Sequence, residues 1–333
     1  MREQWSPIED MPTDAIKWWD PGYQEALSQW RNLRPQLEST KLDKKIMDIW
    51  AEERQRRFAI ETGQIEGLYV IPRGITEQLI TEGLESVRLS HKMASPEVED
   101  DSLTGLLKDQ KTALEMVFDT VAQRRSLSHT AFKEWHQLLT RYQATAASRT
   151  LGGKRVGIPL LKGEYKLRPN NPRRPDGVVH QYCPPEQVRS ELDRLLDMYA
   201  KIHEQSYATE VEAAWLHHRY IQIHPFQDGN GRTARLLMAY AYIRRGEFPP
   251  MITAAEKPPY IAALELADAG DLRPFAERLA ILASESLNAA VIITKQVLKS
   301  SRYYAHSNGD CTYKAPGENE WKRGPDEDNG LDM

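Results

Sequence analysis

His224-Pro225-Phe226-Gln227-Asp228-Gly229-Asn230-Gly231-Arg232-Thr233-Ala234-Arg235 sets two local signals against each other. Asp228-Gly229 and Asn230-Gly231 are dipeptides of tight hairpin turns. The run that follows, Arg232 to Tyr242, is instead rich in helix formers (Ala234, Leu236, Leu237, Met238, Ala239) and ends near Gly246. A chain entering a helix at once has no return strand to pair, so the glycines must form a loop feeding a helix N-terminus. Such a junction is an anion site, because unpaired backbone N–H groups and the positive end of the helix dipole face the ligand. Arg232 and Arg235 stand three apart and share a face of the first turn, a concentration of positive charge that suits a polyphosphate. Asp228 would repel that polyphosphate unless a cation lay between them, and Mg²⁺, which takes one or two carboxylates plus phosphate oxygens, is the expected one. His224 closes the other end of the loop, where an imidazole can accept a proton from a hydroxyl attacking phosphorus. Phe226, between polar neighbours, is expected to point inward and anchor the loop.

Outward from this loop the chain reads as helical. Apolar residues recur at three- and four-residue intervals from Leu103 to Val121, after Ser128 (Phe132, Trp135, Leu138, Leu139), after Pro184-Pro185 (Val188 to Ile202), and from about Thr209 to Gln222. Two further helices are expected near Pro258–Ala269 and Pro274–Lys299, and one with a single buried stripe from Leu42 to Gly67. Between Leu151 and Cys183 the helical signal stops. There Tyr165–Arg168 and Val178–Tyr182 are expected to be short strands, with turn residues between them, so 163–183 is read as an exposed hairpin. The first forty residues carry Trp5, Trp18, Trp19, Tyr23 and Trp30 among four prolines, and are expected to be turn-rich around short helices. Packing of these aromatics on the main body and packing in a homodimer explain them equally well. The stretch 300–333 is expected to be a flexible tail.

The loop motif, His-Pro-Phe-x-Asp-Gly-Asn-Gly-Arg-x-x-Arg over His224 to Arg235, resembles the active-site motif of the Fic family and is complete at every defining position. The resemblance covers about 126–283 as a Fic (Fido) domain. It implies an all-α, Fic-type helical bundle with a small β-hairpin flap, and transfer of AMP from Mg-ATP to a Ser, Thr or Tyr hydroxyl of a target protein. Under it His224 is the general base and Asp228 the Mg²⁺ ligand. Gly229, Asn230 and Gly231 form the anion hole, and Arg232 and Arg235 contact the β- and γ-phosphates. The flap at 163–183 aligns the target by main-chain pairing. Its Lys166, Arg168, Arg173 and Arg174 would favour acidic targets.

Thr62-Gly63-Gln64-Ile65-Glu66-Gly67 resembles the inhibitory motif of the same family, (Ser/Thr)-x-x-x-Glu-(Gly/Asn), placed here at the end of the helix expected over about 44–67. It implies that Thr62, Glu66 and Gly67 form a brake, with Glu66 taking the guanidinium of Arg235 away from the γ-phosphate. The chain thus divides into an N-terminal region (1–100) carrying the inhibitory helix, a Fic core (101–299) and the tail. One departure stands out. Where relatives often carry Asn near the adenosine end of the nucleotide, this chain has Asp268, which loosens the expectation for the base. Removal of AMP from a modified protein, transfer of another nucleotide, and a non-catalytic nucleotide-gated interaction module are the alternative readings. The intact His224 speaks against the last, since binding alone needs no base.

Composition sets limits on these readings. With 44 Lys+Arg against 48 Asp+Glu the chain carries a net charge of −4, which argues against a dedicated nucleic-acid binder. No apolar run approaches the roughly 18–20 residues of a membrane span. Met1 to Pro7 lacks the apolar stretch of a secretory signal. Two cysteines, Cys183 and Cys311, do not make a disulfide framework, so a reducing cytoplasm is the expected location.

Overall fold

The computed structural model describes residues 5–38, 44–98, 102–149, 155–172 and 177–305, together with 312–313 and 322–323. Helices dominate it: α1 (Pro21–Glu38), α2 (Lys44–Glu66), α3 (Arg73–Glu82), α4 (Leu103–Ala122), α5 (His129–Leu139), α6 (Val188–Glu204), α7 (Thr209–Ile223), α8 (Asn230–Arg244), α9 (Lys257–Asp268) and α10 (Arg273–Ala305). The antiparallel pair β1 (Thr145–Arg149) and β2 (Arg155–Pro159) is in register from Thr145 opposite Pro159 to Arg149 opposite Arg155. A two-residue ladder joins Thr312–Tyr313 to Lys322–Arg323. No helix among the described residues is long and apolar enough to cross a membrane.

Local chemistry accounts for several helix ends. Ser128 caps α5 by accepting the N–H of Ala131 at 3.2 Å. Pro184-Pro185 open a 3₁₀ turn that runs into α6. Gly67, at φ +72°, ends α2 in a left-handed residue, and the N–H of Leu68 reaches back to the carbonyl of Gly63 at 3.1 Å. The central pair α7 and α8 is buried nearly all round, with Trp215, Leu216, Tyr220, Leu236, Leu237 and Tyr242 almost fully excluded from solvent. A helix buried on every face shows no single apolar stripe, so its sequence reads as continuous rather than striped.

The N-terminal segment differs from the turn-rich expectation. Its helix α1 runs 18 residues, with Pro35 tolerated in the closing turns. Ile8, Met11, Tyr23, Leu27 and Trp30 belong to the same apolar cluster as α7 and α8, so the stretch 8–30 shares that core. Trp5 adds a hydrogen bond to Gln187 at 3.0 Å, while Trp19 is 59% exposed. A second cluster gathers Ile60, Leu68, Tyr69, Ile71, Leu79, Ile80 and Val98 against Leu103, Leu106 and Leu107, and it wedges the end of α2 against the start of α4.

The expected hairpin at 163–183 is corrected in detail. Tyr165–Arg168 is not a strand, and the described strand pair lies earlier, at β1 and β2. Residues 171–172 and 180–182 do approach each other: His180 N–H donates to the carbonyl of Pro172 at 3.0 Å, and Tyr182 N–H to Asn171 Oδ1 at 3.0 Å. Among its described residues the segment also turns towards the His224 loop. Lys166 N–H donates to the carbonyl of Pro225 at 2.8 Å, and Asn170 Nδ2 to that of Phe226 at 2.8 Å. Lys166 is accordingly 2% exposed and is not available to an acidic target. Arg173, Arg174, Cys311 and most of the expected tail lie outside the described residues; α10 itself continues to Ala305.

Candidate active site

The loop between α7 and α8 begins with a strained residue. His224 follows the last turn of α7 at φ 49°, ψ 59°, a left-handed conformation rare for a residue with a Cβ. Its N–H still closes on the carbonyl of Tyr220 at 2.9 Å, and its ring lies flat on Tyr182, with centroids 3.7 Å apart and planes within 5°. Burial, then the nearby Lys166 cation, hold the imidazole well below its ordinary pKa. His224 is therefore neutral at pH 7 and able to accept a proton.

Phe226 does point inward, as expected, and is fully buried. It stacks on His136 of α5 at 3.7 Å with planes within 6°. His136 is a residue that the sequence reading missed. Gly163 N–H donates to its Nδ1 at 2.9 Å, which leaves the proton on Nε2 to donate to the carbonyl of Asp228, also at 2.9 Å. Burial pushes the His136 pKa down to about 3, so this neutral tautomer persists across the working range. One imidazole thus ties together α5, the start of the 163–172 segment and the loop.

The second half of the loop is held from within. Asn230 Oδ1 accepts the N–H of Phe226 at 2.9 Å and Asn230 Nδ2 donates to the Phe226 carbonyl at 2.8 Å. Its side chain shapes the loop, and the anion site is left to backbone amides. Gly229 caps α8 at φ +79°, and the first helical N–H to bond inside the helix is that of Thr233, to the Gly229 carbonyl at 3.1 Å. The amides of Asn230, Gly231 and Arg232 stand ahead of it, the arrangement that makes a helix N-terminus attract anions.

The two arginines diverge. Arg232 is buried, donating to the carbonyl of Leu139 and to Gln143 Oε1, both at 2.6 Å. Burial lowers its pKa, against the pull of Asp228 and Glu66. Gln143, also unnoticed in the sequence, turns its amide to Asp228 Oδ2 at 2.6 Å. The other oxygen, Asp228 Oδ1, accepts the Gly229 N–H at 2.6 Å. A single buried glutamine therefore bridges the carboxylate and the guanidinium.

Arg235 faces α2. Its Nε donates to Thr62 Oγ1 at 2.8 Å, and its terminal nitrogen donates to the Thr62 carbonyl at 2.9 Å and to Glu66 Oε1 at 2.7 Å. Burial opposes charge on Glu66, but Arg235 and then Arg232 outweigh it and hold the carboxyl below its usual range. A Cβ placed on Gly231 would lie 2.3 Å from Glu66 Oε1. The carboxylate rests against the backbone of the anion site itself. Thr62 and Glu66 thus meet Arg235, Glu66 also lies against Gly231, and Gly67 ends α2 one residue beyond. Asp268 instead meets buried His218, at 2.9 Å, and His180, at 3.9 Å.

Residues 126–242 match the model of the Fic/DOC family. Protein adenylyltransferase fic-1 of Caenorhabditis elegans is 42% identical over 100 residues, which are 29% of this chain and 19% of that protein. Protein adenylyltransferase Fic of Nematostella vectensis is 27% identical over 270 residues, 76% of this chain and 57% of the relative. The chain thus spans less than two thirds of the length of these curated relatives. Among solved structures, a Fic domain containing signaling protein from Bacteroides thetaiotaomicron superposes with a TM-score of 0.65 at 26% identity, covering 83% of this chain and 97% of that one. Fic-1 from C. elegans (its residues 134–508) shares the fold, with a TM-score of 0.59 at 21% identity over 82% of this chain and 73% of that one. With its loop, its helical frame and the family model in agreement, the chain carries a Fic/DOC domain over residues 126–242.

Proposed function

We propose that the protein transfers AMP from ATP to a Ser, Thr or Tyr hydroxyl of a target protein, and that Glu66 restrains the transfer. The reading rests on one observation: a neutral His224 stands on the same loop as a helix N-terminus whose anion site is already covered by the Glu66 carboxylate. Relatives named protein adenylyltransferase support the class of reaction.

In this mechanism the triphosphate lies along the amides of Asn230 to Arg232. Arg235 holds its γ end, and Arg232 adds charge from beneath while keeping its bonds to Leu139 and Gln143. The target hydroxyl oxygen attacks the α-phosphorus as His224 takes its proton. The bond from that phosphorus to the bridging oxygen breaks, pyrophosphate leaves, and a phosphodiester joins AMP to the protein. Asp228 fits a Mg²⁺ ion. It is a partly exposed carboxylate whose two oxygens each accept one hydrogen bond and retain lone pairs. Among the described residues no group of three or more His, Cys, Asp or Glu could cage a metal, which suits an ion that keeps water and phosphate oxygens. Bound there, Mg²⁺ supplies charge neutralisation of the phosphates. The target lies along 163–183, where Leu167, 76% exposed, and Arg168 face solvent. The N-terminal region, through α2, serves as the regulatory unit.

Glu66 restrains transfer by occupying Arg235, so that ATP binds without its γ-phosphate anchored and the α-phosphorus is misplaced for attack. Incubation with ATP labelled at the α-phosphate tests both parts. Glu66→Gly is expected to raise labelling of protein at least about tenfold, equivalent to ~1.4 kcal/mol of barrier. His224→Ala in the same background is expected to abolish it, and γ-labelled ATP to leave protein unlabelled. Equal, low labelling by wild type and Glu66→Gly would overturn the restraint. Labelling that survives His224→Ala would overturn the chemistry.

A further inference from the structure

Lys166 is the one lysine among the described residues buried to 2%, and no carboxylate among those residues pairs with it. Its main-chain N–H donates to the carbonyl of Pro225 at 2.8 Å. Its ammonium donates to Asn170 Oδ1 at 3.0 Å and to the carbonyl of Ile223 at 3.4 Å, and lies 5.8 Å from the centre of the Tyr182 ring. Ile223 and Pro225 are the residues on either side of His224, which is held left-handed between them and flat against the same Tyr182. Backbone and side chain of one residue thus grip both flanks of the strained histidine. Burying a cation is expensive, and among the described residues the groups around this ammonium are neutral acceptors and a ring.

We propose that Lys166 is a positioning residue for His224: it clamps the peptide groups flanking the histidine and sets a cation beside the imidazole. The proposal rests on His224 being the base of the proposed reaction, but its effect on the imidazole exists whether or not AMP is transferred. Among the described residues, the charged and titratable groups facing His224 are few. Lys166 comes from the 163–172 segment, and His180 and Tyr182 from the 177–183 segment, with Asp268 of α9 behind His180. Cys183 lies near Lys166, and burial raises its thiol to about 12, so it supplies no compensating negative charge. Lys166 is itself held down to about 8 by burial, so it is charged through the range in which His224 would otherwise take up a proton.

Histidine-labelled NMR on the full chain tests this, with the His224 signal assigned by its loss in His224→Ala. In wild type the imidazole is expected to titrate below 6.5. In Lys166→Met the midpoint is expected to rise by about one unit, and Lys166→Arg, which keeps the charge, to restore much of the wild-type value. In the Glu66→Gly background the acid limb of the transfer rate should move with it, so that Lys166→Met loses several-fold more activity at pH 6 than at pH 8. An unchanged midpoint in folded Lys166→Met, or an equal shift in Lys166→Arg, overturns the proposal. So does a wild-type midpoint at or above 6.5, a measurement that needs no variant to fold. A shifted midpoint without any labelling of protein would sink the proposed reaction and leave the role of Lys166 standing.

Discussion

Gln143 shows how much a single uncharged side chain carries at the residue scale. It accepts from Arg232 and donates to Asp228 and to the carbonyl of Thr145, all while fully buried. Replacing it with leucine leaves a buried guanidinium with one of its acceptors gone and a carboxylate with one of its donors gone. Losses of this kind cost about 1–3 kcal/mol for each unsatisfied group, more where charge is involved. Gln143→Leu is therefore expected to destabilise the chain by about 2–4 kcal/mol in urea unfolding; a change under about 0.5 kcal/mol would show that Arg232 does not depend on it. His136 plays the corresponding part on the other side of the loop, through Gly163 and Asp228.

At the scale of elements, the proposed restraint depends on the end of α2. Gly63 leaves room for the ring of Tyr69, which a Cβ would meet at 2.3–2.5 Å. The hydroxyl of Tyr69 is in turn held between the carbonyls of Ala59 and Ile60, at 3.0 and 2.9 Å, so the ring cannot swing away cheaply. Gly63→Ala must shift α2 or the ring, and Thr62 and Glu66 lie within a turn of the collision. The variant is expected to lower the thermal midpoint and to raise protein labelling above wild type, though less than Glu66→Gly. Loss of stability with no gain in labelling would mean that the restraint tolerates movement of this turn.

Over the whole molecule, burial of neutral histidines couples stability to pH. His136, His217, His218 and His224 all have their pKa lowered, with desolvation the largest cause in each. Unfolded, they would titrate near 6.5, so below that pH the unfolded chain binds more protons than the folded one. Stability is then present above about 6.5 and lost as pH falls, at roughly 1.4 kcal/mol per pH unit for each proton of difference. Glu210 works the other way. Burial raises it to about 7, so its share is lost as pH rises towards that value. Asp109 is also raised by burial, but four imidazoles outnumber these two carboxyls, and the unfolding midpoint is expected to climb between pH 5 and 7. His217→Phe, at a site packed edge-on against Tyr260 and Phe275, should flatten the climb by about one proton. A profile flat or falling over this range would contradict the neutral state of the buried ring set.

Helices α4 to α10 and the loop from His224 to Arg235 were legible from periodicity, capping residues and a twelve-residue motif, because each of these signals is local: side chains three or four apart share a face whatever surrounds them. The meeting of Glu66 with Arg235 was anticipated only through resemblance, since nothing local spans a separation of 169 positions along the chain. His136 and Gln143 gave no local sign, and Lys166 pointed only to an exposed role towards a target. A histidine on an amphipathic helix, a glutamine after one and a lysine in a turn-rich stretch are ordinary surface residues until the fold removes water from around them. Burial then obliges every donor and acceptor to find a partner, and the partners here are the peptide groups of the loop. The order of residues along the chain thus specified the helices and the chemical groups of the site, while packing chose which polar groups lost their water and so which ones hold the site in shape.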